Sequence, residues 1–258
     1  MSAAGPTREQ VEAGQPYLVE QDGLLTLAFS ELAVQSTMDI ADPARLVLEY
    51  SHLMVASLAF VPAARRIALI GLGGGSLVKA CHRHLPQTRL EVAELSPEVI
   101  ALRGRFHVPP DDERLSIHCI DGAEWIARHD RAFDLVWVDG FDIGGMAPAL
   151  TSPRFFDACH DALADGGVFA MNMYARDALA DAWTERIAAG FARSVAAVTT
   201  ADGDNRVVFA ARGRAFRLSE ARLAQQTRRL ERMFGIALPG FARDFIASRR
   251  RLAEGVPA

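Results

Sequence analysis

A buried strand that runs directly into a glycine-rich loop constrains this chain more than any other feature of its sequence. Residues 67–70 read Ile-Ala-Leu-Ile, and residues 71–75 read Gly-Leu-Gly-Gly-Gly. Four glycines in five positions remove the Cβ atoms that would keep a ligand off the backbone, and they permit the positive φ angles needed to enter a helix near Ser76. Short glycine clusters also form plain strand-to-helix turns, so the loop taken alone leaves both interpretations open.

Strand and helix patterns alternate from residue 66 onward, which is typical of parallel strands joined by right-handed crossovers. Short apolar runs predict strands, and segments with helical spacing predict the helices between them. The sequence therefore predicts an α/β fold with a doubly wound sheet. The predicted strands are 67–70, 90–94, 115–119, 133–139, 168–172, 194–199 and 206–211, and the predicted helices are 76–84, 97–106, 122–129, 153–163, 177–190, 219–234 and 240–252.

The N-terminal part of the chain differs from this alternation. Residues 1–16 are polar and contain Gly and Pro, which predicts a frayed leader, and residues 17–39 carry short β patterns around an Asp22-Gly23 turn. Asp42-Pro43 is typical of a helix start and predicts a helix over 44–60. We therefore divide the chain into a leader with a small β-hairpin region, 1–41, and a Rossmann-like nucleoside-binding catalytic domain, 42–258.

Composition excludes several classes of protein. The chain has 258 residues and a formal net charge of −4, which argues against a general nucleic-acid binder. Its three cysteines form no CxxC pair, its histidines show no metal-ligand spacing beyond His82 and His84, and no apolar run approaches the length of a membrane helix. We expect an enzyme of the cytoplasm without a metal, a membrane or a nucleic-acid partner.

Acidic residues close the predicted strands. In an open α/β sheet, ligands bind at the carboxyl ends of the strands, and here those ends carry Glu94, Asp121, Asp139 and Asp142. Each has a plain structural alternative: Glu94 could favour the following helix N-terminus, Asp121 could be an N-cap, and Asp139 could be an exposed loop acid. Together with the glycine loop, they favour a nucleoside site.

These residues resemble the polyamine aminopropyltransferases, or spermidine synthase-like proteins, which share the methyltransferase type of Rossmann fold. The resemblance runs from about Gln35 to Asn172. It rests on the order and spacing of five motifs. They are the glycine loop Gly71-Leu-Gly73-Gly74-Gly75, Val92-Ala-Glu94-Leu-Ser-Pro97-Glu-Val99-Ile100, Asp121-Gly122, Asp139-Gly-Phe-Asp142, and Leu150-Thr-Ser-Pro-Arg-Phe155-Phe156.

The resemblance implies a role for each matching residue. Asp139 would be the catalytic acid/base, Asp142 and Tyr50 would bind the amine acceptor, and Gln35 and Glu94 would contact the nucleoside. Asp121 would recognise the adenine amine. The resemblance further implies decarboxylated S-adenosylmethionine as co-substrate, a small-molecule amine as acceptor, and a homodimer. The remaining cofactor-binding residues would be Gly71, Gly73, Gly74, Gly75 and Gly122.

The chain departs from the family pattern at several positions. The family loop usually reads Gly-Gly-Gly-Asp-Gly-Gly, with the Asp holding the donor's ammonium group, and Gly74 stands at that Asp here. His52 and Asn172 replace a usual Glu and Gln. The late Tyr-Pro-x-Gly segment of the family is represented by residues 200–205, Thr-Ala-Asp-Gly-Asp-Asn. These departures put the identity of the donor and the acceptor in question.

Three functions remain open from the sequence. The first is an aminopropyltransferase, favoured by Asp139 and Asp142. The second is an S-adenosylmethionine-dependent methyltransferase, which the glycine loop also fits, although many such enzymes carry an acid where this chain has Leu69. The third is a non-catalytic nucleoside-binding relative, which would require Asp139 to be dispensable.

Overall fold

A computed structural model describes residues 16–30, 33–142 and 145–255; for residues 29, 30, 33–35 and 142 it describes the backbone alone. The chain begins with an antiparallel meander of three strands, β1 (Tyr17–Gln21), β2 (Leu24–Ser30) and β3 (Ala33–Asp39). Asp22 and Gly23 both have positive φ, 52° and 76°, as the tight turns of β-hairpins require. The leader predicted over 1–16 lies outside the described residues, except for its last position.

The helix predicted over 44–60 is wrong in its first turns. The helix α1 spans Glu49–Ala56 and continues into a 3₁₀ turn, Ser57–Ala59. Asp42 does not start a helix, because Asp39 Oδ1 accepts hydrogen bonds from the amides of Ala41 and Asp42 and folds this segment into a turn. The Asp42 carboxylate itself pairs with Arg83, 2.6 Å away. Tertiary partners therefore override a local start signal.

The rest of the chain alternates between strands and helices, as predicted. Two helices end earlier than the sequence predicts, at Ala101 and Ile126. In chain order the elements are β4 (Arg66–Ile70), α2 (Ser76–His84), β5 (Arg89–Glu94), α3 (Pro97–Ala101), β6 (Leu115–Cys119), α4 (Gly122–Ile126), β7 (Phe133–Val138), β8 (Phe141–Asp142), β9 (Gly145–Met146), α5 (Pro153–Ala162), β10 (Leu163–Tyr174), α6 (Ala180–Gly190), β11 (Val195–Thr199), β12 (Asn205–Ala211), α7 (Glu220–Phe234) and α8 (Phe241–Ala253).

Seven strands form the main sheet in the order β11-β12-β10-β7-β4-β5-β6. The five strands from β10 to β6 are parallel, whereas β12 runs antiparallel to β10 and β11 antiparallel to β12. After β4 the chain forms β5 and β6 on one side of β4 in the sheet. It then returns and forms β7 on the other side of β4. The predicted doubly wound sheet is confirmed, and its switch point lies between β4 and β7, where such sheets bind ligands.

Both faces of this sheet are buried, because successive side chains of a strand point to opposite faces. In β4, Ile67 and Leu69 pack into one hydrophobic cluster with α1, α2 and α7, and Ala68 and Ile70 pack into a second cluster with α4, α5 and α6. No helix within the described ranges is both long and apolar enough to cross a membrane. The domain boundary at 41/42 stays a prediction.

Candidate active site

A cavity of about 300 Å³ lies at the carboxyl ends of β4, β5 and β7. It therefore occupies the switch point of the sheet. Ser36 from the N-terminal meander and the exposed Leu95 complete part of its wall. The predicted site residues on this wall are Tyr50, Gly71, Gly73, Glu94, Asp121, Gly122 and Asp139.

Gly71 occupies the point where β4 meets the end of β7. Its φ is +95°, and a Cβ added there would lie 2.2 Å from the backbone oxygen of Asp139. The two segments are tied together because the Asp139 amide donates to the carbonyl of Ile70 at 2.8 Å. A glycine is therefore required at position 71 for Asp139 to approach the loop this closely.

Replacing Gly71 with alanine is expected to destabilise the protein by at least about 2 kcal/mol, because the new Cβ meets backbone at a positive φ. Asp139 would have to move, so ligand binding should weaken as well. Urea unfolding midpoints measure the first effect. Gly104→Ala is the matched control, since a Cβ there meets nothing within 4 Å and should leave the midpoint nearly unchanged. Equal midpoints for the two variants would contradict this account of the loop.

Gly74 and Gly75, unlike Gly71 and Gly73, do not line the first cavity. A Cβ on Gly74 would lie 2.7 Å from Ser36 Oγ and 2.8 Å from the ring of Phe106, and one on Gly75 would lie 2.4 Å from Val108. Gly75 is also the residue before α2, with a φ of +65°. Both glycines thus let the loop pack against its neighbours, and their assignment as ligand contacts stays a prediction.

Glu94 ties the glycine loop to the end of β5. Its Oε2 accepts from the amide of Leu72 at 2.7 Å, and its Oε1 accepts from the amide of Ser96 at 2.8 Å. A carboxylate oxygen can accept more than one hydrogen bond, so both oxygens keep the capacity to bind hydroxyl groups in the cavity. Glu94 is therefore a structural tie and a candidate ligand at the same time.

Asp121 is the N-cap of α4, which confirms the structural alternative for this residue. Its Oδ1 accepts from the amides of Ala123 at 2.7 Å and Glu124 at 3.0 Å. Because both capping bonds use Oδ1, Oδ2 is the oxygen that can reach a ligand. Gly122 beside it admits no side chain, since a Cβ would lie 2.3 Å from Ile70. The capping and ligand roles are compatible.

Asp139 is the most perturbed acid of the site. Burial raises its pKa from 3.8 to about 6, against hydrogen bonds from Asn172 and Tyr50 that lower it. Asn172 Nδ2 donates to Asp139 Oδ1 at 2.9 Å. Burial, together with the charge of Asp139, raises the pKa of Tyr50, so the phenol stays protonated and donates to the carboxylate. Asp139 is thus ionised at neutral pH. Because its pKa lies close to neutral pH, it is well suited to accept a proton during a reaction.

A second cavity, of about 650 Å³, adjoins the first and shares Tyr50, Asp139 and Phe141 with it. Five acids and one arginine line it, so it favours a cation. Its charged residues are Glu49, Asp139, Arg176, Asp177, Asp202 and Asp204. Sequence reasoning missed most of this wall. The signal that the sequence offers for this wall is the pair of acids in the segment 200–205, which departs from the family pattern.

Two predicted residues cannot be placed. The side chains of Gln35 and Asp142 lie outside the described part of the structure, so their roles stay predictions. Ser36, the neighbour of Gln35, is 4% exposed and lines the first cavity, with its Oγ 3.4 Å from Ser76 Oγ. The N-terminal meander therefore contributes to the site through at least one side chain.

Three other cavities of the described structure adjoin neither Asp139 nor the glycine loop. One of them, of about 270 Å³, lies near Arg65 and Thr88, at the amino-terminal ends of β4 and β5, and its wall carries no carboxylate. In the ranges 16–30, 33–142 and 145–255, no group of three or more His, Cys, Asp or Glu side chains is arranged to hold a metal ion. The paired cavities at Asp139 are therefore the candidate active site.

Comparison with known protein families gives one domain match. The spermine/spermidine synthase domain matches residues 48–182, just over half of the chain. The matched region includes Tyr50, the glycine loop, Glu94, Asp121 and Asp139. It also covers β4 to β10, whereas Leu27 and Ser36 of the first cavity and Asp202, Asp204 and Asn205 of the second lie outside it.

Relatives with assigned names agree with the domain match. A polyamine aminopropyltransferase of Neisseria meningitidis serogroup A is 36% identical over 174 residues, 67% of this chain and 66% of the relative, slightly under two thirds of its length. A polyamine aminopropyltransferase of Chromobacterium violaceum is 31% identical over 236 residues, 91% of this chain and 90% of the relative. The crystal structure of a spermidine synthase in complex with the transition-state analogue AdoDATO is similar in fold, with a TM-score of 0.63, 18% identity, and coverage of 86% of this chain and 88% of that one.

Proposed function

Because this chain belongs to the spermine/spermidine synthase family, we propose that it is a polyamine aminopropyltransferase that moves an aminopropyl group from decarboxylated S-adenosylmethionine to a di- or polyamine. One observation carries the proposal: the Asp139 carboxylate is shared by two adjoining cavities of different character. One cavity has the features of a nucleoside site, and the other is lined by acids. A transfer between a nucleoside and a cationic amine needs this arrangement.

The first cavity fits the adenosyl part of the donor. Glu94 would accept hydrogen bonds from the ribose hydroxyls, and Asp121 would accept one from the adenine amine. The glycines at 71 and 122 are required by the packing of the cavity wall, because a Cβ at 71 would meet Asp139 and one at 122 would meet Ile70. Acids at three strand ends would repel a pyrophosphate, so this site favours a sulfonium nucleoside over a dinucleotide.

The second cavity fits the acceptor. Carboxylates of Glu49, Asp177, Asp202 and Asp204 would attract a protonated amine and hold its far end. The near amine would then lie beside Asp139, at the boundary with the donor cavity. In this placement the acceptor would contact Tyr50, and its near amine would lie beside Asp139, the predicted acid/base.

The donor supplies an electrophilic carbon bonded to a positively charged sulfur. The acceptor nitrogen forms a C–N bond to that carbon as the C–S bond breaks, and the electron pair leaves with sulfur as the thioether methylthioadenosine. Asp139 takes the proton that the nitrogen loses and releases it to solvent. The two cavities bring nitrogen and carbon together, which replaces a bimolecular encounter. Tyr50 and Asn172 hold the carboxylate in place by donating to it.

Because residue 74 is a glycine, the first property to test is whether the donor's tail carries a carboxylate. Position 74 carries no side chain, so this loop offers no carboxylate to the donor tail, and Ser36 and Phe106 lie where a side chain would begin. This absence would also tolerate the carboxylate of intact S-adenosylmethionine, and it is the one observation that favours a methyltransferase as the alternative.

Titration calorimetry with methylthioadenosine, S-adenosylmethionine and its decarboxylated form, each with and without putrescine, tests the proposal. We expect the decarboxylated donor to bind and, when putrescine is present, to turn over to methylthioadenosine and a longer polyamine. Equal or tighter binding of intact S-adenosylmethionine, with S-adenosylhomocysteine as the product, would replace the proposal with the methyltransferase alternative.

We further propose that the enzyme acts as a homodimer in the cytoplasm. The family resemblance suggests the dimer. The three cysteines form no disulfide, and two of them, Cys81 and Cys159, are buried, which suits a reducing compartment. Light scattering on the purified protein measures the mass, which is 28.0 kDa for one chain.

A further inference from the structure

Two side-chain amides connect Asp139 to the far side of the acidic cavity. Asn172 on β10 is 1% exposed, and its Nδ2 donates to Asp139 Oδ1 at 2.9 Å. The Oδ1 of Asn172 accepts from Asn205 Nδ2 at 3.0 Å. Asn205 begins β12, the antiparallel neighbour of β10. Both amides therefore present their NH₂ group in the direction of Asp139.

The direction of the Asn172 amide decides which form of Asp139 it stabilises. An ionised carboxylate can only accept hydrogen bonds, so it needs the NH₂ group. A protonated carboxyl group can donate, so it would be stabilised by the amide oxygen. The two directions differ by a half-turn of a side chain whose shape barely changes. A second group that donates to the Asn172 oxygen stabilises the direction that suits the carboxylate.

Asn205 is placed to hold that direction. Its backbone is fixed by Thr200, whose amide donates to the Asn205 carbonyl at 2.9 Å and whose Oγ1 accepts from the Asn205 amide at 3.0 Å. Thr200 is 6% exposed, and the amide of the next residue, Ala201, donates to Glu49 at 2.9 Å. The loop is thus tied to the start of α1, beside Tyr50. Asn205 is held where its NH₂ group meets Asn172.

We propose that Asn205 is a positioning residue that fixes the direction of the Asn172 amide and thereby keeps Asp139 ionised, ready to receive the proton of the acceptor amine. The catalytic part of this proposal rests on the proposed function. Asn205 also lines the acidic cavity, so an acceptor bound there would contact the same residue that orients the proton acceptor. The loop before β12 would then serve the chemistry as well as acceptor binding.

The titration of Asp139 can be separated from that of its neighbours. Burial raises the pKa of both tyrosines near it, Tyr50 and Tyr174, so neither titrates near pH 6. In the described part of the chain, no histidine lines either cavity. The charged groups that face Asp139 across the two cavities are Glu49, Glu94, Asp121, Arg176, Asp177, Asp202 and Asp204.

The test is a titration of the Asp139 carboxyl by ¹³C NMR in ligand-free protein labelled with ¹³C-aspartate, with the signal assigned by its loss in Asp139→Asn. Asn205→Leu removes the donor to Asn172 without adding charge. We expect the midpoint to rise by about half to one pH unit, since a hydrogen bond to the charged form is no longer enforced. Asn205→Leu with an unchanged midpoint would overturn the proposal.

The exchange variant Asp204→Asn/Asn205→Asp tests direction at constant net charge, and Asn205→Leu separates that effect from repulsion between Asp139 and a carboxylate at 205, because leucine adds no charge. A carboxylate at 205 can only accept, so Asn172 should turn its NH₂ group toward 205 and its oxygen toward Asp139. We expect a rise of about one pH unit or more. A midpoint equal to that of the wild type overturns the proposal, because the direction of the amide would then not matter. Asp204→Asn alone is the control for the lost charge, and it should raise the acceptor KM with no upward shift of the midpoint.

Kinetics then separates this proposal from the proposed function. In the Asn205 variants, the acid limb of the pH profile of kcat should move to higher pH by the same amount as the NMR midpoint of Asp139. The rate should then recover at higher pH. If the wild type transfers no aminopropyl group, the proposed function fails, and the NMR titration still decides whether Asn205 sets the ionisation of Asp139. A limb that stays in place while the NMR midpoint moves would overturn the catalytic part of the proposal.

Discussion

Replacing Asp139 with asparagine is expected to lower kcat for aminopropyl transfer by roughly 10²–10⁴-fold, because a neutral amide cannot take the proton of the acceptor amine. Nucleoside affinity should change little, since Glu94, Asp121 and the glycine loop stay in place. The comparison needs a kcat measured by methylthioadenosine release and a Kd measured by calorimetry with the same nucleoside. Asp130→Asn is the matched control: it removes an exposed acid before the start of β7, the strand that Asp139 follows, and should leave kcat unchanged.

The same substitution is expected to stabilise the folded protein above pH 6. The pKa of Asp139 is raised from 3.8 to about 6, so the folded state binds a proton more tightly than the unfolded state and loses stability as the pH rises between these values. Above pH 6 the buried charge costs up to about 3 kcal/mol. Asparagine carries no charge, and its side-chain oxygen can still accept a hydrogen bond from Asn172. The variant should therefore have a higher melting temperature than the wild type at pH 8 and the same melting temperature below pH 4.

Unchanged turnover in Asp139→Asn would remove Asp139 from the mechanism and favour a non-catalytic or differently catalysed relative. Lost turnover with lower stability at pH 8 would point instead to a damaged fold. The combination of less activity and more stability is the result that a buried catalytic carboxylate predicts, because its ionised form is maintained against a desolvation cost.

Replacing Glu94 with alanine is expected to weaken binding of methylthioadenosine by about 100-fold or more, the effect of losing two charge-assisted hydrogen bonds to the ribose. The apo protein should also lose stability, because the amides of Leu72 and Ser96 lose their acceptor. Calorimetry gives the first quantity and thermal unfolding without nucleoside gives the second. Glu98→Ala, which removes an exposed acid on α3, controls for charge.

The two roles of Glu94 can be separated by Glu94→Gln. Glutamine keeps one acceptor oxygen for Leu72 or Ser96 but places an NH₂ group where the other amide donates. We expect an intermediate loss of stability and a loss of affinity close to that of the alanine variant. Nucleoside affinity that survives in both variants would assign Glu94 to the loop alone and would leave the ribose without its predicted partner.

The glycines and the acids at the strand ends could be predicted because each follows a strand directly in the sequence. Parallel strands carry their next residues to one edge of the sheet, so Gly71, Glu94, Asp121 and Asp139 had to meet if the strands were assigned correctly. The structural alternatives were also readable, and Asp121 fulfils one of them as an N-cap. The start of α1 could not be read in this way, because Asp39 and Arg83 compete with the helix for Asp42.

The acidic cavity could not be predicted from spacing. Its acids come from α1, from the residues after β10 and from the loop before β12, and these segments meet because β12 pairs antiparallel with β10. The same pairing places Asn205 beside Asn172. No local pattern specifies which strand lies next to β10, since strand pairing is a contact between segments distant in the sequence.

Local hydrophobic periodicity and the position of each residue in its own strand are enough to predict the strands, the glycine loop and the row of acids. Contacts between distant segments set the surroundings of position 74 beside Ser36 and Phe106, the place of Asp139 between two cavities, and the amide pair that reaches Asp139 from β12. These features depend on burial and on hydrogen-bond direction, which neighbours distant in the chain provide. The raised pKa of Asp139 depends on that surrounding and not on the residue alone.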